Sequence, residues 1–183
     1  METKKYKLTE ETIIVNGKTL YRIEALKDFS NVRKGDKGGF IEKEDNLSQS
    51  DNCWVYDNAM VYDNARVFAN AMVYGTARVY DDAMVYGKAK VRDNVIIYNN
   101  AIICGNAWVY GNAVICGNAW VNGNADVFGD AVIGDNAVIC GNAWVNGNTK
   151  VYGNAKVYGE AMVYGEADVC GNAEVCGNAE VYD

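Results

Sequence analysis

Six cysteines and no histidine limit the chemistry open to this 183-residue chain. Histidine is the commonest general base and metal ligand at neutral pH. Without it, serine–histidine and cysteine–histidine nucleophile pairs are excluded, as are zinc or iron sites built on imidazole. The cysteines form no metal-ligating group of their own. Cys104, Cys140 and Cys176 share one spacing, Cys116 and Cys170 another, and Cys53 stands apart. They read as free thiols in a reducing compartment. The triplet Gly17-Lys18-Thr19 suggests a phosphate loop, but the upstream glycine at the P-loop spacing is missing. Asn16-Gly17 as a hairpin turn explains it better. No catalytic residue, cofactor site or metal ligand follows from these residues, and the chain is expected not to be an enzyme.

Charge narrows the partners. Seventeen basic and 24 acidic residues give a net charge of −7. An acidic chain is poorly suited to holding DNA or RNA through phosphates, so no direct nucleic-acid contact is expected. No apolar run approaches the roughly 18 residues of a membrane-spanning helix. Met1 to Glu10 is polar and contains no apolar signal core, so a cytoplasmic location is expected.

The elements that carry these residues are set by a six-residue repeat. Val55, Val61, Val67 and every sixth position to Val181 hold Val or Ile without an insertion, 22 positions in all. Two residues before each stands a small residue, Cys53 and then Ala59, Ala65, Ala71 and onward, with Val95 and Thr149 as exceptions. The unit reads Val-Tyr-Gly-Asn-Ala-x. Alternation around each valine gives a short strand, with the small residue and the valine inward. Gly-Asn is turn chemistry, because both residues tolerate positive φ. One such strand and corner cannot bury an apolar side alone, but stacked copies can. Three sides close a triangle, so 18 residues make a coil, and the 21 full hexapeptides of the series make about seven coils. The expected fold is all-β, a single-chain triangular parallel β-helix whose interior is too narrow for a ligand. Continuous pairing between coils accounts for the absence of proline, which cannot donate to a ladder.

Residues 18 apart share a face, so outward side chains sort into columns. The first face carries Trp54, Met72, Lys90, Trp108, Asp126, Trp144, Met162 and Glu180, beside Tyr56, Tyr74, Arg92, Tyr110, Phe128, Asn146, Tyr164 and Tyr182. The tyrosines read as stacked ladders that stabilise the coils. Residues 95–125 contain no charged side chain. Around this stretch Ile96, Tyr98, Val114 and Val132 on the second face lie beside Ile102, Trp120 and Val138 on the third. An apolar patch of this extent marks an interface, and a homo-oligomer, dimer or trimer, is expected to pack through it. Glu160, Glu166, Asp168, Glu174, Glu180 and Asp183 lie in a stretch without Lys or Arg. Two uses fit these acids: protection of an open strand edge, or a surface for a basic protein partner.

Residues 1–46 differ from the rest, with 10 basic and 9 acidic residues against 7 and 15 in residues 47–183. Thr12–Val15, Asn16-Gly17 and Thr19–Ala25 read as a β-hairpin. Ile41 and Leu47 read as an irregular first coil. The expected division is an N-terminal hairpin cap with the irregular first coil over 1–46 and a hexapeptide-repeat solenoid over 47–183.

The unit, and Ile133-Gly134-Asp135-Asn136-Ala137-Val138 most closely, resembles the hexapeptide repeat of left-handed parallel β-helix proteins, a superfamily that includes acyltransferases and γ-class carbonic anhydrases. Left-handedness is implied by that resemblance; a right-handed triangular helix of the bactofilin type needs a similar spacing. Gly38-Gly39-Phe40-Ile41-Glu42, with Asn46-Leu47-Ser48 and Cys53-Trp54-Val55, resembles the start of hexapeptide-repeat proteins from bacterial genomes, prophages and phages. The resemblance implies a non-catalytic scaffold or protein-interaction module in a bacterial host cytoplasm. A concrete form of it is an acidic rod that occupies the nucleic-acid channel of a host defence complex. The alternative is an acyltransferase-like enzyme, disfavoured because such enzymes commonly use a histidine base. A γ-type carbonic anhydrase is excluded by its histidine ligands. Ice binding through threonine arrays is set aside, because the repeat holds only Thr76 and Thr149.

Overall fold

The computed structural model describes residues 4–183. Three longer strands come first: β1 (Tyr6–Val15), β2 (Lys18–Ala25) and β3 (Lys37–Ile41). Among the described residues 22 strands of two or three residues follow, one for each Val or Ile of the repeat. Residue i pairs in parallel with residue i + 18, as Ile96 does with Val114 and Val114 with Val132. The strands form three sheets that are the three faces of a parallel β-solenoid. The first face runs in register from Trp54 to Glu180, the second from Met60 to Asp168, and the third from Arg66 to Glu174.

The local causes are visible at each corner. The first corner residue has positive φ, for example +70° at Gly123 and +56° at Asp81. Glycine takes this conformation without steric cost, and aspartate tolerates it when its side chain finds a local partner. Asp57, Asp81, Asp93 and Asp135 each accept a hydrogen bond from the backbone N–H one coil later, at 3.0–3.1 Å. The second corner residue is usually asparagine, and these stack. Asn100, Asn118, Asn136, Asn154 and Asn172 form one continuous amide ladder at 3.0–3.1 Å. Between corners, the N–H groups flanking each valine donate to carbonyls 17 residues ahead, as at Tyr56→Val73 (2.7 Å) and Ile96→Ala113 (3.0 Å). This demand on the backbone is met by a repeat without proline.

The interior is the expected column of Val, Ile and Ala, almost all fully buried. Thr149 departs from it: the side chain is fully buried, and its hydroxyl has no hydrogen-bond partner among the described residues. The outward tyrosines form the expected stacks, including Tyr62–Tyr80–Tyr98 with centroids 5.0 and 5.3 Å apart.

The N-terminal hairpin forms around Asn16 (φ +51°) and Gly17 (φ +79°), both left-handed as a type I′ turn requires. It caps the solenoid by extending one face. β2 pairs antiparallel with β3, and β3 pairs in parallel with Met60–Val61, which makes the second face a ten-stranded sheet. Tyr6, Ile23 and Val32 close the end of the core. Trp54 packs edge-on against Tyr6 and Phe29, and the Tyr6 hydroxyl donates to the Leu47 carbonyl at 2.7 Å.

The irregular first coil contains Ile41 and Leu47. Ile41 pairs with Val61 and Leu47 with Val67, an offset of 20 residues instead of 18. Two extra residues therefore bulge at the corner between Leu47 and Trp54. With this coil each face is eight levels deep, so the solenoid has about eight turns where the regular repeat alone accounts for seven. At about 4.8 Å per coil, the stack rises roughly 34 Å.

Candidate functional site

Three surfaces stand out from the regular repeat. The first is the charge-free belt. Ile96, Val114 and Val132 stack in register on the second face, with Tyr98 in the adjacent column. Ile102, Trp120 and Val138 stack on the third face. The structure brings these seven residues to the same coils but divides them between two faces, with the asparagine ladder along the corner between. Adjacent faces of a three-sided prism point away from each other, so one flat partner meets one face at a time. Six of the seven side chains are half-buried by their neighbours, and Trp120 is the exposed member at 44%. Its indole N–H donates to the Cys104 thiol at 3.2 Å.

The second surface is acidic. Asp168 lies on the second face, Glu174 on the third and Glu180 on the first, while Glu160 and Glu166 occupy corners. These acids and Asp183 are all exposed, and they encircle the last coils instead of sharing one face. Two are partly neutralised from the preceding coil, Glu174 by Lys156 at 3.1 Å and Asp168 by Lys150 at 4.0 Å. The Lys156 ammonium, helped by the Tyr158 hydroxyl, holds the Glu174 carboxyl below its ordinary range. Glu180 accepts a hydrogen bond from the Tyr164 hydroxyl at 3.0 Å.

The third surface lies on the first face, where sequence reasoning placed the columns and gave the tyrosines only a stabilising, stacked role. Trp108 and Trp144 are 38% and 48% exposed. Asp126 stands between them in register, one coil from each. A short side chain between two indoles leaves a notch. On the Trp108 side of it opens a cavity of about 460 Å³, lined by Arg92, Asn106, Trp108, Tyr110, Asn124 and Asp126; Trp144 does not line it. Lys90 sits 4.4 Å from the Trp108 ring centroid and Arg92 4.7 Å from that of Tyr110. Tyr110 stacks on Phe128 at 4.7 Å, and Phe128 meets Trp144 edge-on. Burial pushes the Asp126 carboxyl above its ordinary range.

A larger depression, about 860 Å³, lies beside the bulged corner of the first coil and is lined by both charge signs, including Glu44, Asp51 and Arg66. At the same corner Lys5 is almost wholly buried, and burial lowers its pKa. Its ammonium reaches the carbonyls of Ser50 (3.2 Å) and Cys53 (2.9 Å) and the Cys53 thiol (3.3 Å). This is a staple that ties β1 to the bulge. The six thiols are free. Among the described residues no group of three or more Cys, Asp or Glu side chains is placed to hold a metal ion. No helix of the described residues is long and apolar enough to cross a membrane.

Segments 55–68, 61–75, 77–93 and 103–117 match a family model described as the YdcK beta solenoid repeat. These matches and the stacked parallel strands fit a hexapeptide-repeat-like β-helix. No curated protein matches the chain.

Proposed function

We propose that this chain is a non-catalytic, rigid binding module that associates with copies of itself, as a dimer or trimer, through the charge-free belt. The observation that carries this reading is the stacking of Ile96 and Val114 on one face and Ile102 and Trp120 on the next, within a stretch that holds no charged residue from 95 to 125, with Val132 and Val138 extending both columns one coil further. The same columns become charged beyond the belt: Arg78 before it and Lys150 and Asp168 after it on the second face, Lys156 and Glu174 after it on the third. A solenoid face is a preformed, rigid sheet surface, so association there costs little ordering entropy. Trp120 supplies the kind of large aromatic anchor that dominates interface energies. The absence of histidine supports a binding role over an acyltransferase-like one.

Light scattering behind a sizing column tests the proposal. The wild-type chain is expected at two or three times the chain mass. Val114→Lys charges the second face and Trp120→Glu the third, and the variant on the face that forms the contact is expected to lower that mass. A monomer for the wild type at micromolar concentration overturns it. The ring of acids from Glu160 to Asp183 is the surface offered to a basic partner. Reversal of Glu174 and Glu180 to lysine is expected to abolish such binding, and unchanged binding counts against that role.

A further inference from the structure

We propose that the notch between Trp108 and Trp144 on the first face is a binding site for a neutral oligosaccharide. The inference is independent of self-association, which uses the other two faces. Three observations carry it.

The first is the spacing of exposed indoles. Trp108 and Trp144 lie two coils apart in one column, about 9.6 Å at the usual distance between strands, with the shorter Asp126 between them. A pyranose ring presents an apolar C–H face and an equator of hydroxyls. An exposed indole packs against such a face, and two indoles at this separation flank a span of about two sugar rings. The cavity of about 460 Å³ beside Trp108 and Asp126, which Trp144 does not line, falls within the range typical of small-molecule sites, roughly 300–1,000 Å³.

The second is unspent hydrogen-bonding capacity. The Asp126 carboxylate, half-buried in the notch, accepts no hydrogen bond from any of the described residues and has no cationic partner within salt-bridge distance. The indole N–H groups of Trp108 and Trp144 have no protein acceptor among the described residues, whereas that of Trp120 is engaged by Cys104. Asn106 and Asn124 edge the notch as a hydrogen-bonded amide pair at 2.8 Å. A sugar hydroxyl is both donor and acceptor, so it can give to Asp126 and receive from Arg92 or an indole N–H.

The third decides against a charged ligand. Lys90 and Arg92 stand 4.4 and 5.7 Å from the Trp108 ring centroid, so the cation–π capacity of that ring is engaged and a cationic ligand would meet two like charges. An anionic ligand would be drawn by Lys90 and Arg92 but would leave the Asp126 carboxylate, without a partner among the described residues, against a like charge. A neutral, polyhydroxylated ligand satisfies the carboxylate, the guanidinium and the indoles together.

The test is titration of the full-length chain with neutral gluco-, manno- and galacto-tetraoses, followed by calorimetry and tryptophan fluorescence. Tetramethylammonium and galacturonate oligomers serve as charged comparisons. At least one neutral tetraose is expected to bind with a Kd below about 1 mM. Trp108→Ala, Trp144→Ala and Asp126→Ala are each expected to weaken that binding by roughly tenfold or more, and Trp120→Ala on the third face to leave it unchanged. Saturation-transfer NMR on the wild-type chain reads the contact directly, should an alanine variant fold poorly: the transferred signal is expected on the sugar ring C–H protons. The proposal is overturned if no neutral tetraose binds at millimolar concentration, if tetramethylammonium or the galacturonate oligomers bind more tightly, or if binding survives Trp108→Ala and Asp126→Ala unchanged.

Discussion

Thr149→Val is expected to stabilise the protein, against the usual direction for a core substitution. Thr149 occupies the inward small-residue position of its unit, fully buried, and its hydroxyl has no partner among the described residues. Threonine and valine have the same shape, so the change removes one polar atom and leaves the packing volume nearly unaltered. A branched residue fits this column, because Val95 occupies the equivalent position three coils earlier and is fully buried. An unpaired buried polar group costs about 1–3 kcal/mol, and that cost is what valine relieves. For a chain of this size each kcal/mol moves Tm by about 2–4 °C, so a rise of roughly 2–10 °C is expected. Urea unfolding followed by circular dichroism gives the sharper comparison. The midpoint should rise at constant slope, since the surface exposed on unfolding does not change. Thr149→Ser, which keeps the hydroxyl and deletes a methyl group, should fall below wild type. A Thr149→Val midpoint equal to or below that of wild type would refute the reasoning, because it would mean that the hydroxyl is satisfied or that the column rejects a second methyl group.

Tyr98→Pro removes the N–H that donates to the Ile115 carbonyl at 3.1 Å in the middle of the stack; a loss of about 1–3 kcal/mol is expected from the orphaned carbonyl alone, and an unchanged urea midpoint would contradict the continuous ladder. Ile115→Ala opens a cavity in the closed core, where Ile115 is fully buried; it should cost about 2–5 kcal/mol by the same assay. Alkaline pH should destabilise the fold. Burial raises the Tyr56 hydroxyl from its ordinary 10.0 to about 12, so above pH 10 the unfolded chain ionises while the native one stays protonated. That contribution is complete below pH 10 and is lost as the pH climbs toward 12. Urea midpoints should fall across this window, less steeply in Tyr56→Phe, and a flat profile would contradict the burial of the ring.

The solenoid was legible because its signal is local and repeated. A valine every six residues, with an alanine two before it and a glycine–asparagine corner after, dictates strand, corner and face in each unit, and the copies then stack without competing registers. The Asn16-Gly17 turn was legible for the same local reason. The bulged corner between Leu47 and Trp54 was harder to read. Ile41 and Leu47 identify an irregular coil, but which corner takes the two extra residues depends on pairing with residues 20 positions away. Lys5 reads as one more exposed lysine near the terminus, because its partners Ser50 and Cys53 are distant in sequence. On the surface, column membership followed from the 18-residue period, but exposure did not. Ile96, Val114 and Val132 are half-covered by neighbouring coils, while Trp108 and Trp144 stand out because the short Asp126 lies between them. The acids from Glu160 to Asp183 read as one acidic end, and projection onto three faces and two corners turns them into a ring.

Sedimentation equilibrium of the wild-type chain from sub-micromolar to tens of micromolar concentration tests the binding role of the belt most directly. A mass that rises to two or three times that of one chain, and that returns toward one chain in Trp120→Glu or Val114→Lys, is the expected result. The mass of a single chain at every concentration, with both variants indistinguishable from wild type, would contradict the assignment of the charge-free belt as an interface between copies of this protein.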